Sequence, residues 1–459
     1  MNPVIIGVAL FITAQLGIGI AVSRFVRTED DYFLAGRRLG PLLATFSIFA
    51  TWFGAESVIG SAGMAYDEGM AGVSSDPFGY GLCILIAGLF FARVFWDMKL
   101  VTVADFVRHR FSKRAARITA ALMVPTSFLW TAAQIRAFGT VLSSATDISL
   151  AAGVVAATAI VLLYTSFGGM LADVVTDLLQ GTILIIGLGF VLYFVAEESG
   201  GIAAFAGSVL SGVRLHDGSA GGNPLLTAER WLIPVCGSIF AQELISRMLS
   251  SRSTATAVRA SLTAGTMYIL IGFIPLSLGL AGASLIPGLS DGEQVLPELA
   301  RRFLPPAMFI IFSGAIISAI LSTVDSTLLA ISALLSHNVF PMRNDLPERT
   351  KVAVDRTIVI VAGIAAAFFA LGADGVYELV KDASSFGSAG IFVVMMAGLY
   401  SQRGDGTTAS ATLLIGAVTW GAAHYIFHFE LSYLLSLIVS LLVFVVAEIS
   451  RTRLSAGRL

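Results

Sequence analysis

Long apolar runs recur along the whole of this sequence and constrain it more than any other feature. We read thirteen, at roughly 3–23, 41–65, 72–95, 116–143, 148–166, 171–196, 229–249, 257–284, 303–340, 354–372, 376–399, 407–427 and 430–450. A helix needs about 20 apolar residues to cross the hydrocarbon core of a bilayer, where each backbone polar group must be satisfied within the segment. The pattern therefore describes an all-α integral membrane protein with about thirteen transmembrane helices. Composition agrees: 13% of residues are charged, about half the roughly 25% of a soluble domain, and mean hydropathy is +0.86. A soluble enzyme, a disordered scaffold and a secreted disulfide domain are excluded. The net charge of −2 lacks the basic excess of a nucleic-acid binder, so the expected partners are a small solute and the lipid bilayer, with no nucleic acid. Cys83 and Cys236 both lie in apolar runs and show no metal-binding spacing.

The first run follows only Met1 and Asn2 and has neither a basic n-region nor a small-residue cleavage site, so a retained span is expected. With alternating spans, 22 of the 28 Lys and Arg residues fall on one side and 4 on the other, while Arg136 and Lys381 lie within spans. Cytoplasmic loops carry the basic excess. The expectation is a plasma (inner) membrane protein with its N-terminus outside and C-terminus inside; Arg247 counts among the inside loop residues. The Gly-, Ala- and Ser-rich segment 197–228 reads as an external loop with a short surface helix. No long polar segment follows residue 450 and no GxxxxGK phosphate loop occurs, so a single transmembrane domain over 1–459, not driven by ATP, is expected.

Spans two to six (41–196) and seven to eleven (229–399) compare as two sets of five, leaving 3–23 and 407–450 as extra helices. Five is odd, so the second set sits inverted relative to the first. Inverted repeats mark secondary transporters, whose sites lie where the first helix of each repeat is interrupted. Here those helices read Phe49-Ala50-Thr51-Trp52-Phe53-Gly54-Ala55-Glu56 and Val235-Cys236-Gly237-Ser238-Ile239-Phe240-Ala241-Gln242-Glu243. Each has a central Gly followed by a carboxylate. Gly weakens a helix interior and admits a break, or packs closely against a neighbour; its recurrence at matching positions favours the break.

Ionisable groups at membrane depth are costly, and each is a functional candidate. Asp177 and Asp325 lie within spans, and Asp76 near a span end. Positions 319, 322, 323 and 326 share one helix face, which offers the hydroxyls of Ser322, Thr323 and Ser326 beside Asp325. Oxygen ligands without sulfur or imidazole suit hard alkali cations. Trp52 and Trp130 sit inside spans rather than at the interface where belt tryptophans gather, and Gln134 follows Trp130 on its helix. His424 and His428 read as interfacial. Neither HExxH nor a GxSxG elbow occurs, so an enzyme is not expected.

Three stretches carry a family resemblance: Tyr32-Phe33-Leu34-Ala35-Gly36-Arg37-Arg38-Leu39-Gly40; Tyr164-Thr165-Ser166-Phe167-Gly168-Gly169 with Thr176-Asp177 and Gln180; and Ser313-Gly314 through Ala319-Ile320-Leu321-Ser322-Thr323-Val324-Asp325-Ser326. In this order the chain resembles the sodium:solute symporter family from about 30 to 400. The resemblance implies a LeuT-like 5+5 inverted repeat, with Na+ as coupling ion and no organic cofactor. It also implies a first sodium site of Ala50, Phe53 and Ala319 carbonyls with Ser322 and Thr323 hydroxyls. A second cation at Asp177, Asp325 and Ser326 is the further expectation, as Asp325 stands where many members carry a small residue.

Within the family the likeness is nearest to the high-affinity choline transporters, through Ala50-Thr51-Trp52, Phe78-Gly79-Tyr80 and Phe128-Leu129-Trp130. Aromatic faces hold quaternary ammonium ions, and Trp52, Tyr80 and Trp130 would be such walls. Two further aromatic positions of that branch fall near Ala241 and Val380, while Asp76 and Glu243 add negative charge. Solute contacts are expected from Trp52, Asp76, Tyr80, Trp130, Gln134 and Gln242. The reading is sodium-coupled symport of an amine, organic cation or amino acid by alternating access; a proton-coupled symporter and a solute sensor of the same fold are the rivals.

Overall fold

The computed structural model describes residues 24–145, 148–215, 223–343, 345–373 and 375–456, with scattered positions between 10 and 22. The expected first span, 3–23, lies largely outside these. Among the described residues the molecule is helical, and the only strand-like pairing is an isolated bridge between Leu39 and Ser251. Eight helices are long and apolar enough to cross a membrane, or ten if each of two bent pairs is one span.

The first bent pair is α1 (Pro41–Trp52) and α2 (Ser61–Glu68). Pro41 suits the start of α1, where its missing N–H would be unpaired anyway. The helix stops at Phe53, whose ψ of 68° is not helical, and resumes through a wide turn at Glu56–Gly60. The two arms differ in direction by 61°. After the span Ser75–Asp97 comes α3 (Lys113–Ala145). Next is α4 (Leu150–Glu198), which turns at Gly169, where φ is +56°; this divides the expected spans 148–166 and 171–196. The Gly-, Ala- and Ser-rich segment 197–228 contains the amphipathic helix Ile202–Leu215.

The second bent pair is α5 (Pro224–Leu232) and α6 (Gln242–Leu249), joined by a wide turn at Ile233–Gly237 and bent by 42°. Then come α7 (Thr254–Leu285), α8 (Pro306–Leu334) and α9 (Glu348–Gly372). The expected span 376–399 is α10 (Val376–Ser385) and α11 (Ser388–Tyr400), interrupted where Gly387 takes a φ of +67°. The helices Gly406–Gly421 and Ser432–Ala456 complete the described chain.

The α8 helix packs against α3 and α4 and carries a buried row of Phe312, Ala315, Ile316, Ala319 and Ile320. Lipid is as apolar as a side chain, so such helices associate through close packing and interhelical hydrogen bonds rather than hydrophobic exclusion. Near one membrane face the short helix Glu29–Leu34 is capped by Thr28. Burial works against ionised Glu29, but His337, whose Nε2 lies 2.9 Å from Glu29 Oε1, and Lys351 hold its carboxyl below the usual range.

Candidate functional site

The two helix breaks face neighbours that leave no room for a side chain. A Cβ on Gly54 would lie 2.6 Å from Thr323 Oγ1 and 2.9 Å from Gln134 Oε1; one on Gly237 would lie 2.1 Å from the Ser384 carbonyl oxygen. Both glycines are therefore close-approach positions. The side chain of Gln134 stabilises the first break: its Oε1 accepts from the Ala55 N–H at 2.9 Å, and its Nε2 donates to Glu56 Oε2 at 2.5 Å. These bonds replace helical ones lost at the break.

Around the first break the structure gathers oxygen atoms. Thr323 Oγ1 lies 3.4 Å from the Ala50 carbonyl and 3.2 Å from the Ala319 carbonyl. Phe53 is the residue at which α1 ends. The Ser322 hydroxyl donates to Asp177, which also accepts from Ser47 at 2.7 Å. Ala50, Ala319 and Thr323 thus meet beside the α1 break, while Ser322 turns its hydroxyl to Asp177.

The expected second cation set has a resident positive charge. Arg247 is 0% exposed, so it is no loop residue. Its place in the count of basic loop residues is corrected, because α6 continues into the protein rather than ending at the surface. The guanidinium donates to Thr51 Oγ1 at 2.8 Å, to Asp173, to Ser326 and to the sulfur of Met170, and lies 3.9 Å from Asp177. Asp325 accepts from Thr165. Asp177 and Ser326 both meet Arg247, with Asp325 next along the helix and bonded to Thr165; Arg247 and Asp173, neither foreseen, complete the cluster. Asp173 and Asp177 are four apart and share a helix face, which was the available signal.

The solute candidates divide. Trp52, Tyr80 and Trp130 form one cluster, with ring centroids 5.5 Å apart for Trp52–Trp130, 5.7 Å for Trp52–Tyr80 and 6.0 Å for Tyr80–Trp130. Asp76 accepts from Ser57 at 2.9 Å and Tyr268 at 2.8 Å. Gln242 does not join them. Its amide accepts from the Val103 N–H at 2.8 Å and donates to the Val101 carbonyl at 3.1 Å, so it fastens the 101–103 segment.

A cavity of about 470 Å³ opens above this cluster. Glu56, Asp76 and Tyr80 are among its lining residues, as are His424 and His428. Glu56 Oε1 and Asp76 Oδ1 are buried and lack hydrogen-bond partners among the described residues. Hydroxyls meet beside Tyr80, a lining residue of this vestibule: Tyr80 Oη lies 2.8 Å from Ser384 Oγ, which Ser238 Oγ approaches to 3.1 Å. Ser384 sits just before the Gly387 interruption, which the sequence reading missed although the polar stretch Ser384-Ser385-Phe386-Gly387-Ser388 marks it.

The model of the sodium:solute symporter family matches residues 32–416. The chain belongs to that family. High-affinity choline transporter 1 of Caenorhabditis elegans is 26% identical over 90% of this chain and 76% of its own length; that of Drosophila melanogaster is 26% identical over 82% and 63%. The solved structure of a Na+-coupled sialic acid symporter in a substrate-bound outward-open state superposes with a TM-score of 0.84 at 19% identity, covering 97% of this chain and 96% of that one. The fold is thus the LeuT-like one of sodium-coupled symporters. As a family member the chain is a multi-span, sodium-coupled solute transporter and not an enzyme.

Proposed function

We propose that this chain takes up a small, positively charged organic solute, an amine, choline-like cation or amino acid, with sodium. The observation that carries the reading is the vestibule floor, where two buried carboxylates with unpartnered oxygens adjoin the aromatic cluster. Uncompensated charge at this depth is costly unless a counter-ion arrives, and aromatic faces attract cations. The choline transporters among the relatives fit this chemistry.

Sodium would sit among the carbonyls of Ala50, Phe53 and Ala319 and the hydroxyls of Ser322 and Thr323, joining the α1 break to α8. Solute would enter the vestibule, pass the Tyr80, Ser384 and Ser238 hydroxyls and lodge against Trp52 and Trp130. The basic-residue bias puts the N-terminus outside and the C-terminus in the cytoplasm, so the vestibule faces out. We divide the helices into repeats at 41–196 and 229–399, and alternating access is the rocking of one helix set against the other. One charge crossing 100 mV supplies about 2.3 kcal/mol, equivalent to roughly fifty-fold accumulation.

Arg247 supplies positive charge at Asp177, Asp325 and Ser326, which favours one sodium per cycle over two. Two carboxylates, Asp173 and Asp177, sharing one guanidinium, with Asp325 close by and unpaired with it, also favour a second reading, in which a proton on this cluster accompanies or replaces sodium.

The test is thermal stability of the purified protein against sodium at constant ionic strength, followed by uptake into proteoliposomes. A ligand that binds the folded state raises its stability as concentration passes Kd. The expected result is a saturable, sodium-specific rise that is lost in the Ser322→Ala, Thr323→Ala double variant. No rise with sodium, and uptake driven by a pH gradient alone, would replace this reading with the proton-coupled one.

A further inference from the structure

Glu243 is a buried carboxylate that no part of the sodium or vestibule chemistry uses. It lies in the first turn of α6, where the helix dipole favours negative charge. Its Oε1 accepts from Ser127 at 2.5 Å, and among the described residues it makes no ion pair. The nearest base along its own helix, Arg247, is committed to Thr51, Asp173 and Ser326.

Open space adjoins this carboxylate on both sides of Trp130. One cavity, of about 30 Å³, is lined by Ser127, Trp130, Ser238, Glu243 and Ser384. Another, of about 10 Å³, is bounded by Trp52, Trp130, Glu243 and Thr323. A water-sized group needs about 10–15 Å³ measured this way, so the larger space admits one or two. Its walls include one carboxylate, the hydroxyls of four serines and Thr126, and an indole, a set that accepts N–H donors around a cation.

We propose that Glu243, Ser127, Ser238 and Ser384 form a head-group pocket for a protonated primary amine, so that the solute is an N–H-bearing amine rather than a quaternary ammonium. This rests on the reading of the chain as a carrier of positively charged solutes and names the class. An ammonium head has one heavy atom and three N–H donors, which suits a pocket of this size and an anionic acceptor. A trimethylammonium head has four heavy atoms and no N–H, so it would overfill the space and leave Glu243 unpaired. Sites built to hydrogen-bond a substrate N–H reject analogues that lack it more strongly than apolar pockets reject extra bulk.

The experiment uses the full-length protein in proteoliposomes with sodium, and the probes are ethanolamine, its N-methyl and N,N-dimethyl derivatives, and choline, with glycine and its trimethyl derivative as the amino-acid arm. Half-saturation is read from sodium-dependent uptake and from thermal stabilisation. The expected result is a loss of at least about tenfold in affinity from –NH3+ to –N(CH3)3+, shrinking to within about threefold in Glu243→Gln. Ser127→Ala, which removes only the hydroxyl on the carboxylate, gives an intermediate loss and keeps the test open if Glu243→Gln does not fold. Choline bound as well as ethanolamine, unchanged discrimination in both variants, or a Glu243→Gln effect on sodium dependence alone would each overturn the assignment. If sodium stabilises the protein but no amine of either arm is taken up, the head-group pocket is refuted while sodium coupling stands. If sodium itself has no effect, the sodium-symport reading fails first.

Discussion

The two halves of the transporter hold their buried acids in opposite ways. On the vestibule side, Glu56 and Asp76 keep carboxylate oxygens without partners and no arginine or lysine pairs with either among the described residues. On the other side of the α1 break, Asp173 and Asp177 meet the guanidinium of Arg247 and accept from the hydroxyls of Ser47, Ser322 and Ser326, with Asp173 Oδ1 alone lacking a hydrogen bond among the described residues, while Thr165 bonds Asp325. A carboxylate awaiting a charged solute has to remain unpaired. A carboxylate that joins helices has to be paired permanently, because separating a buried pair leaves an uncompensated charge. The difference separates the half that recruits from the half that binds the framework together.

Three substitutions can break or sharpen that contrast. Arg247→Gln should have the largest effect. It strands the acid cluster without its cation and should cost about 3–5 kcal/mol of stability, read as a fall in Tm of the purified protein. Adding Asp173→Asn should recover part of the loss, since the two sites share one interaction. If Arg247→Gln melts like the parent, the inner network is not structural.

Gly54→Ala should come next. The new methyl would sit within 3 Å of Thr323, Gln134 and Glu56, and overpacking costs about 1–3 kcal/mol. Its signature is loss of sodium-dependent stabilisation as well as a lower Tm. Gly189→Ala, whose methyl would meet nothing within 4 Å, is the matched control and should keep the sodium response. Asp76→Asn should have the smallest effect on stability but a specific one on solute. Half-saturation for a cationic solute should rise about tenfold, or roughly 1.4 kcal/mol, with the sodium response retained. A drop in stability as large as that of Arg247→Gln would show that the two halves use their acids alike.

Much of the fold was legible in the sequence because the bilayer allows so few solutions. Apolar runs had to be helices, and twelve of the thirteen correspond to described helical segments, although several are too short or too bent to qualify as single spans. The breaks at Gly54 and Gly237 were legible as glycines followed by carboxylates at matching places. The interruption at Gly387 was not read, although Ser384, Ser385, Gly387 and Ser388 interrupt the apolar run there.

The candidate site was legible where ligands share one helix face. Ala319, Ser322 and Thr323 could be grouped by spacing, and the family resemblance supplied Ala50 and Phe53. Residues whose roles depend on a partner far along the chain were missed. Arg247 lies at the end of an apolar run, where an interfacial position is the default reading. Gln242 lies in the broken helix, and nothing local says that its amide turns to the backbone of Val101 and Val103 rather than to solute.

By itself, the sequence determined that the chain crosses a membrane many times, that its helices break near two glycines, and that hydroxyl and carboxylate oxygens gather on one face of α8. Hydrophobic periodicity, glycine and helical spacing are local properties, and they survive in one dimension. Only the tertiary structure decided which buried acids are neutralised by the protein and which are left for a ligand. That choice depends on the path of α6, which carries Arg247 into the acid cluster and Glu243 beside Trp130. Electrostatic compensation acts over a few ångströms in space, between residues far apart in the chain: Arg247 and Asp173 are 74 positions apart.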